Sequence, residues 1–263
     1  MLSAKMQDSK LLKGIIDAVS AIIDETYFVA DEKGLKLDAM DESHICLMSM
    51  TLPKELFNGG YECKEQVKLG INLEDMTKIM KRAGGSDAIE FKHQKESEKF
   101  QVQMKGRGTR TFSLRLIDVD AEKIPPSTEL DVKFEAKVTF DIDILDQAIK
   151  DAEIYQDTLE IQINKDGLKM TAEGEVGDIE YQLDQDHLEA ADIQKDGRGV
   201  FSLSFLKNIL KVSSIVDKVT LNIAENSPLK FEFDISVPDV KEKGKIIYFL
   251  APRVSEEESY EGD

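Results

Sequence analysis

Leu73-Glu74-Asp75-Met76-Thr77-Lys78-Ile79-Met80-Lys81 and, 130 residues later, Leu203-Ser204-Phe205-Leu206-Lys207-Asn208-Ile209-Leu210-Lys211 follow one pattern. Leu73, Met76, Ile79, Met80 and Lys81 fall on Leu203, Leu206, Ile209, Leu210 and Lys211, so an amphipathic helix with apolar residues three and four apart occurs twice. The upstream sequence repeats as well. Sliding by 133 residues places Leu12 on Leu145, Ile16 on Ile149, and Gly34-Leu35-Lys36-Leu37 on Gly167-Leu168-Lys169-Met170 without a gap. The residues Leu11, Leu12, Ile15, Ile16, Val19, Ile22 and Ile23 give a first helix, and Leu145, Ala148, Ile149 and Ala152 give its copy. The chain therefore reads as two copies of one unit, each with two helices of about three turns.

Between the helices the pattern switches to period two. Val132, Phe134, Ala136, Val138 and Phe140 alternate with polar residues, as do Phe112, Leu114 and Leu116; Leu159, Ile161 and Ile163; Val219, Leu221 and Ile223; and Leu229, Phe231, Phe233 and Ile235. Such runs are strands with one buried face. Asp31-Glu32-Lys33-Gly34 and Asn164-Lys165-Asp166-Gly167 each join two of these runs and supply the Asx and Gly residues of a tight reversal, so antiparallel sheet dominates. Ser9 and Asp141 stand where the first and third helices begin and are read as N-caps; Gly84-Gly85 ends the second helix. The fold class is α+β, with two duplicated helix-and-antiparallel-sheet domains at residues 1–117 and 132–254. A connector with paired prolines (Pro125-Pro126) occupies 118–131, and an acidic tail occupies 255–263.

The length of 263 residues suits two modest domains, and 41% hydrophobic with 33% charged residues excludes collagen-like, low-complexity and wholly disordered classes. No apolar run approaches the roughly 18 residues that span a bilayer. Cys46 and Cys63 form no CxxC or staple framework, and His44, His93 and His187 share no metal-ligand spacing. A reducing, intracellular compartment and no metal or cofactor are expected. No Walker loop, dinucleotide fingerprint, nucleophile elbow or HExxH helix is present. Lys105-Gly106-Arg107-Gly108 lies between two strand patterns and reads as a hairpin turn. His44, beside Asp41 and Ser43, lacks the strand-turn-helix setting of a catalytic triad, so no catalytic residue is assigned.

The net charge is −18, from 34 Lys plus Arg against 52 Asp plus Glu, yet the predicted helices collect cations. Lys78, Lys81 and Arg82 are neighbours at i, i+3 and i+4, Lys207 and Lys211 repeat them, Lys10 and Lys13 sit on the first helix, and Lys150 sits on the third. Like charges one turn apart repel, so their recurrence on four helices of an acidic protein points to an anionic partner, although a lysine on a polar helix face is commonly just solvated. Lysines grip phosphates without reading bases, and no aromatic residue interleaves with these. The pattern therefore favours sequence-independent contact with duplex DNA over stacked single strands.

Four motifs in order, Met40-Asp41-Glu42-Ser43-His44-Ile45, Gly70-Ile71-Asn72-Leu73, Asp118-Val119-Asp120 and Tyr248-Phe249-Leu250-Ala251-Pro252-Arg253-Val254, resemble those of the proliferating cell nuclear antigen family of DNA sliding clamps over nearly the whole chain. The form of the connector is closer to archaeal than to eukaryotic members, which would place the protein in the cytoplasm with the nucleoid if archaeal and in the nucleus if eukaryotic. The resemblance implies a ring of three subunits, pseudo-sixfold, with helices lining a central hole for duplex DNA and sheets on the outside. It also implies a non-enzymatic role: tethering DNA polymerase, and flap endonuclease and ligase type proteins, to DNA in replication and repair, after placement by a clamp loader. The DNA-binding residues it implies are Lys13, Lys78, Lys81, Arg82, Lys150, Lys207 and Lys211, while Ser20 stands where a basic residue is common. Partners would dock a short helical peptide motif into a groove walled by Met40, His44, Ile45, Ile124, Pro125, Pro228, Phe249, Ala251 and Pro252. Met40 and Ile45 equally suit strand-end core positions. Ring closure would pair the edge strand Thr109 to Ile117 with the strand Gly177 to Leu183 of the next subunit, with Phe112 and Tyr181 as apolar interface residues unless both pack within their own sheets.

Two other readings remain open at this point. One is an acidic recruitment module that binds peptides without encircling DNA, and the other is an enzyme whose catalytic set is not recognisable.

Overall fold

The computed structural model describes residues 1–95, 97–119 and 132–253. In chain order its elements are β1 (Leu2–Met6), α1 (Lys10–Ser20), β2 (Glu25–Asp31), β3 (Gly34–Met40), β4 (Cys46–Pro53), β5 (Gly60–Cys63), β6 (Val67–Asn72), α2 (Leu73–Met80), β7 (Ala88–His93), β8 (Lys99–Lys105) and β9 (Thr109–Arg115). The second half repeats the series as β10 (Ala136–Asp141), α3 (Ile142–Ala152), β11 (Thr158–Asn164), β12 (Gly167–Gly174), β13 (Gly177–Asp184), β14 (Ala190–Ile193), β15 (Gly197–Ser202), α4 (Leu203–Ile209), β16 (Lys218–Ile223), β17 (Leu229–Ile235) and β18 (Gly244–Leu250). The duplicated α+β architecture read from the sequence is present element by element.

The described residues divide into two compact units. The first takes its residues from Met1–Glu129 together with Ser214–Val216 and Asp234–Ile247, and the second takes Leu130–Ser213, Asp217–Phe233 and the residues from Tyr248 on. In the first unit one antiparallel sheet runs β5-β1-β7-β8-β9 and another segment runs β4-β3-β2-β6; in the second unit the corresponding orders are β14-β10-β16-β17 and β13-β12-β11-β15. The alternation predicted for the strands is visible as burial: β10 reads buried-exposed along Ala136–Asp141, with Ala136, Val138 and Phe140 all at most 1% exposed. Each such Phe or Val withdrawn from water contributes about 1.5–3 kcal/mol.

Both hairpin turns form. Asp31 Oδ1 accepts from the amides of Lys33 (2.7 Å) and Gly34 (3.1 Å), Asn164 Oδ1 accepts from Asp166 N (2.9 Å), and Gly34 and Gly167 adopt φ of 149° and 133°. A side chain at either glycine would meet a backbone carbonyl, Leu52 O at 2.0 Å or Leu183 O at 2.2 Å, so close strand packing as well as φ requires glycine. The Gly106–Gly108 segment is the β8–β9 turn, as its spacing suggested.

The helices depart from expectation at their ends. Ser9 takes a helical backbone (φ −85°, ψ −15°) that turns its hydroxyl away from the first amides, and Ser9 Oγ instead donates to Gly84 O at 2.7 Å. Asp8 serves the Lys10 amide at 3.0 Å. Asp141 holds the N-cap position of α3 with no side-chain capping bond. The one side-chain cap among the described α-helices is Asn72 on α2, which accepts from Asp75 N at 3.0 Å. The second helix of each pair is also shorter than three turns. Here α2 has 8 residues and α4 has 7, with a 3-10 turn over Leu210–Ser214 continuing α4.

Candidate nucleic-acid and partner interfaces

In the first unit α1 and α2 pack their apolar faces inward, with Leu12, Ile15, Ile16 and Val19 of one and Leu73, Met76 and Met80 of the other at most 2% exposed. Their polar faces carry the cations. Lys78 lies on α2, but Lys81 and Arg82 lie just beyond its end, where their amides still bond to Thr77 O and Ile79 O at 2.9 Å. In the second unit Lys150 is on α3, Lys207 on α4, and Lys211 on the 3-10 turn. Three of these ammonium groups already have acids. Lys78 meets Glu74 at 2.8 Å and Asp75 at 3.2 Å, Lys150 meets Asp146 at 2.5 Å, and Lys207 meets Glu153 at 2.6 Å. Hydrogen bonds to Glu74 and then Asp75 raise the Lys78 pKa, and the bond to Asp146 does the same for Lys150, so both ammonium groups stay charged. These pairs are solvent-exposed and worth little, so a phosphate can replace the carboxylate at small cost. Lys13, Lys81 and Arg82 make no ion pair with any described residue.

The helices are not uniformly basic. α3 sets Asp143, Asp146 and Asp151 against the single Lys150, whereas α4 has no acid. Cations on α3 thus stand among carboxylates, a feature the count of lysines alone conceals.

The loop after β3 is built on Asp41. Its residue is 7% exposed, and its carboxylate accepts from the amides of Cys46 (2.6 Å), Ile45 (2.7 Å) and Ser43 (3.0 Å) and from the Ser43 hydroxyl. Burial pushes this carboxyl up, but the Ser43 hydroxyl and the three amides outweigh it and hold the pKa below the ordinary value. The turn forces His44 to φ 59° and leaves its side chain exposed beside Ile45, which is 37% exposed, with Met40 half-buried at the strand end. Asp41, named in the sequence beside a would-be triad and within the Met40–Ile45 motif but given no role there, is the residue that builds this display.

The start of the connector is anchored within the same unit. Tyr27 Oη donates to Asp118 Oδ1 at 2.5 Å and accepts from Val119 N at 2.9 Å, and Ile117 N donates to Gly70 O at 3.0 Å. A side chain at position 70 would fall 1.9 Å from Ile117 O, which explains why Gly70 precedes Ile71-Asn72-Leu73. Tyr27 had no signal beyond being an aromatic residue in a strand. Ile124 and Pro125, the expected connector walls, lie outside the described residues.

In the second unit Pro228, Ala251 and Pro252 are half-buried. Arg253 ties the end of this stretch down, its amide donating to Val200 O at 2.7 Å and its guanidinium meeting Asp157 at 2.9 Å. Phe249 differs from the expectation of an exposed wall: it is 7% exposed, stacked on Phe134 at 6.4 Å between centroids, with Lys230 Nζ 5.8 Å from its ring. With Phe134 stacked against it and the Lys230 ammonium over its ring, Phe249 is packed within its own unit.

The residues named for subunit contact lie on edge strands. Phe112 is half-buried on β9 and Tyr181 on β13; among the described residues β9 has a strand neighbour only in β8 and β13 only in β12. One cluster escaped the sequence reading. Asp87, 8% exposed, holds Arg110 Nη2 at 2.5 Å and the Gly84 amide at 3.0 Å, while Arg110 Nη1 donates to Arg82 O at 3.0 Å. Among the described residues no group of three His, Cys, Asp or Glu side chains is placed to hold a metal ion, and no helix is long and apolar enough to cross a membrane.

Comparison with known proteins matches both halves of the chain. Residues 1–123 fit the model of the proliferating cell nuclear antigen N-terminal domain, and residues 128–253 fit that of its C-terminal domain. A protein named DNA polymerase sliding clamp from Methanothermobacter thermautotrophicus is 31% identical over 258 residues, covering 98% of this chain and 100% of that protein. One of the same name from Thermococcus gammatolerans is 32% identical over 252 residues, covering 94% and 96%. With both domains matched in order over a chain whose two halves repeat each other, this protein belongs to the proliferating cell nuclear antigen family.

Proposed function

We propose that this chain is a DNA sliding clamp: copies of it close into a ring of three around duplex DNA, and the ring tethers a polymerase and other DNA-processing proteins to the template. The observation that carries this reading is the family match across both halves of a duplicated chain, each half presenting two helices whose outer faces bear cations. The chemistry required of the protein is modest. Lysine and arginine contact phosphates as point charges, without base readout, so the contacts re-form at every step along the duplex and permit sliding. The reading includes no catalytic group; the activity is topological, and partners would bind through short peptides at the Met40, His44 and Ile45 loop and at the Pro228, Ala251 and Pro252 region. The place of action would be wherever the cell keeps its duplex DNA.

The test is charge reversal at Lys81→Glu and Lys211→Glu together. Assembly measured by light scattering should be unchanged, while stimulation of the cognate polymerase at moderate salt falls by about tenfold or more, as loss of phosphate contacts predicts. Unaltered stimulation would remove these residues from the DNA path.

A further inference from the structure

The helices that carry the cations are close to neutral. Over residues 10–20, 73–82, 142–153 and 203–214, which hold the four helices and the turns that end them, eight Lys or Arg stand beside seven Asp or Glu. Four of these acids touch an ammonium group: Glu74 and Asp75 meet Lys78 at 2.8 and 3.2 Å, Asp146 meets Lys150 at 2.5 Å, and Glu153 meets Lys207 at 2.6 Å. All the side chains of these pairs are 39% to 78% exposed, so a phosphate that reaches the lysine also meets the carboxylate. Lys81 and Arg82, one turn beyond Lys78, form no ion pair with any described residue. Helix stability explains only part of this placement. Glu74 and Asp75 lie in the first turn of α2, where acids complement the helix dipole, and Asp146 stands four residues before Lys150, the favourable order for a pair on one helix. Glu153 does neither. It is the C-cap of α3, the end at which a negative charge opposes the dipole, and its partner belongs to α4.

A moving contact needs somewhere to let go to. An ammonium that leaves one phosphate for the next passes through a state in which it touches neither, and the lost charge-charge contact is a barrier to the step. A carboxylate already within hydrogen-bond reach fills that interval. It also competes with the phosphate, since an exposed ion pair and an exposed phosphate contact are of similar small worth. We propose that Asp146 and Glu153, with Glu74 and Asp75 on α2, are positioning residues for sliding: each holds its lysine between phosphate contacts, loosening the grip and speeding movement along the duplex, while Lys81 and Arg82 supply the standing attraction. The inference rests on the clamp reading and adds what keeps its lysines from stalling on a polyanion.

The test follows single labelled proteins, placed by a clamp loader and ATP on stretched duplex DNA blocked at both ends. Diffusion is then recorded in buffers of about 0.01 M and about 0.15 M salt, between which the screening length falls from about 30 Å to 8 Å. Asp146→Asn with Glu153→Gln should diffuse at least about threefold more slowly than wild type at the lower salt and close most of that gap at the higher, because screening removes the added grip. Asp146→Glu with Glu153→Asp, which keeps both charges, should recover most of the wild-type rate. Glu153→Gln alone removes a charge that opposes its own helix, so it keeps the fold, checked by circular dichroism, and should slow diffusion in the same salt-dependent sense. Wild-type diffusion of the neutralised variants at the lower salt, or a slowing that does not respond to salt, overturns the role of the carboxylates and leaves the clamp standing. Wild-type protein that is not retained between the blocked ends overturns the clamp reading and the inference with it.

Discussion

Asp41 shows how a single buried carboxylate can shape a display surface. With three amides and a hydroxyl converging on it, the turn Asp41–Cys46 can hold His44 at positive φ and keep Ile45 in solvent. Asp41→Asn keeps the shape but loses the charge that these donors face. Hydrogen bonds to an ionised group are worth about 1.5–3 kcal/mol each, so the variant should lose about 2–4 kcal/mol in urea unfolding. Because the folded-state pKa lies below the ordinary carboxyl value of about 3.9, the stabilisation is complete above that pH and disappears as pH falls through the lower folded value. Wild-type stability should therefore drop below about pH 4 with a component absent from Asp41→Asn, as parallel urea titrations would show. Ile45 allows the complementary experiment. Exposed as it is, Ile45→Asp should change stability by less than about 0.5 kcal/mol. It should nevertheless weaken binding of a partner's aromatic-bearing helical peptide by at least about tenfold in fluorescence anisotropy, through a charge set in an apolar contact. Normal affinity would remove Ile45 from the partner surface.

Among the elements, helix ends separate what the sequence displays from what it hides. The faces of all four helices follow from spacing alone, because burial of Leu and Ile three and four apart overrides other preferences. Caps do not follow, since Ser9, Asp141 and Asn72 are all good capping residues and only the local backbone decides among them. At Ser9 a helical φ, ψ diverts the hydroxyl to Gly84 O, whereas Asn72 leaves an extended strand and reaches Asp75 N. Asn72→Ala should accordingly cost about 1 kcal/mol through the cap of α2, measured by chemical denaturation. Ser9→Ala should leave the helicity of α1 unchanged and instead loosen the tie between α1 and the Gly84 turn, visible as faster amide exchange at Asp87, whose N–H bonds Gly84 O. Equal loss of α1 helicity in Ser9→Ala would contradict this division. The hairpins were legible because Asx-x-x-Gly turns carry their own geometry. The short strands β5 and β14 were not, having only four residues and no sustained alternation.

For the whole molecule, the duplication was readable because the two halves keep the same spacing from helix to turn to helix: β2 and β3 recur as β11 and β12 at an offset of 133, and α2 begins 130 residues before α4. The candidate site was less legible, for physical reasons that differ by residue. Counting lysines overlooked their partners: Glu74 and Asp146 reach Lys78 and Lys150 once their helices form, and Glu153 reaches Lys207 only once α3 and α4 pack together. Reading Phe249 as an open wall overlooked Phe134 and Lys230, which lie far from it in sequence and cover it in space. Asp87 and Tyr27 act through contacts 23 and 91 residues away, a separation no local pattern records.

The claim on which the functional account depends is that the assembled protein surrounds DNA. It is tested most directly by placing labelled protein on a nicked circular duplex with a clamp loader and ATP, isolating the complex by gel filtration, and then cutting the circle once with a restriction enzyme. The account predicts that the label stays with the intact circle through high-salt washing and leaves within minutes of linearisation, because a ring slides off an end. Retention that is the same on circular and linear DNA, or loss from both at high salt, would contradict encirclement and leave only surface binding.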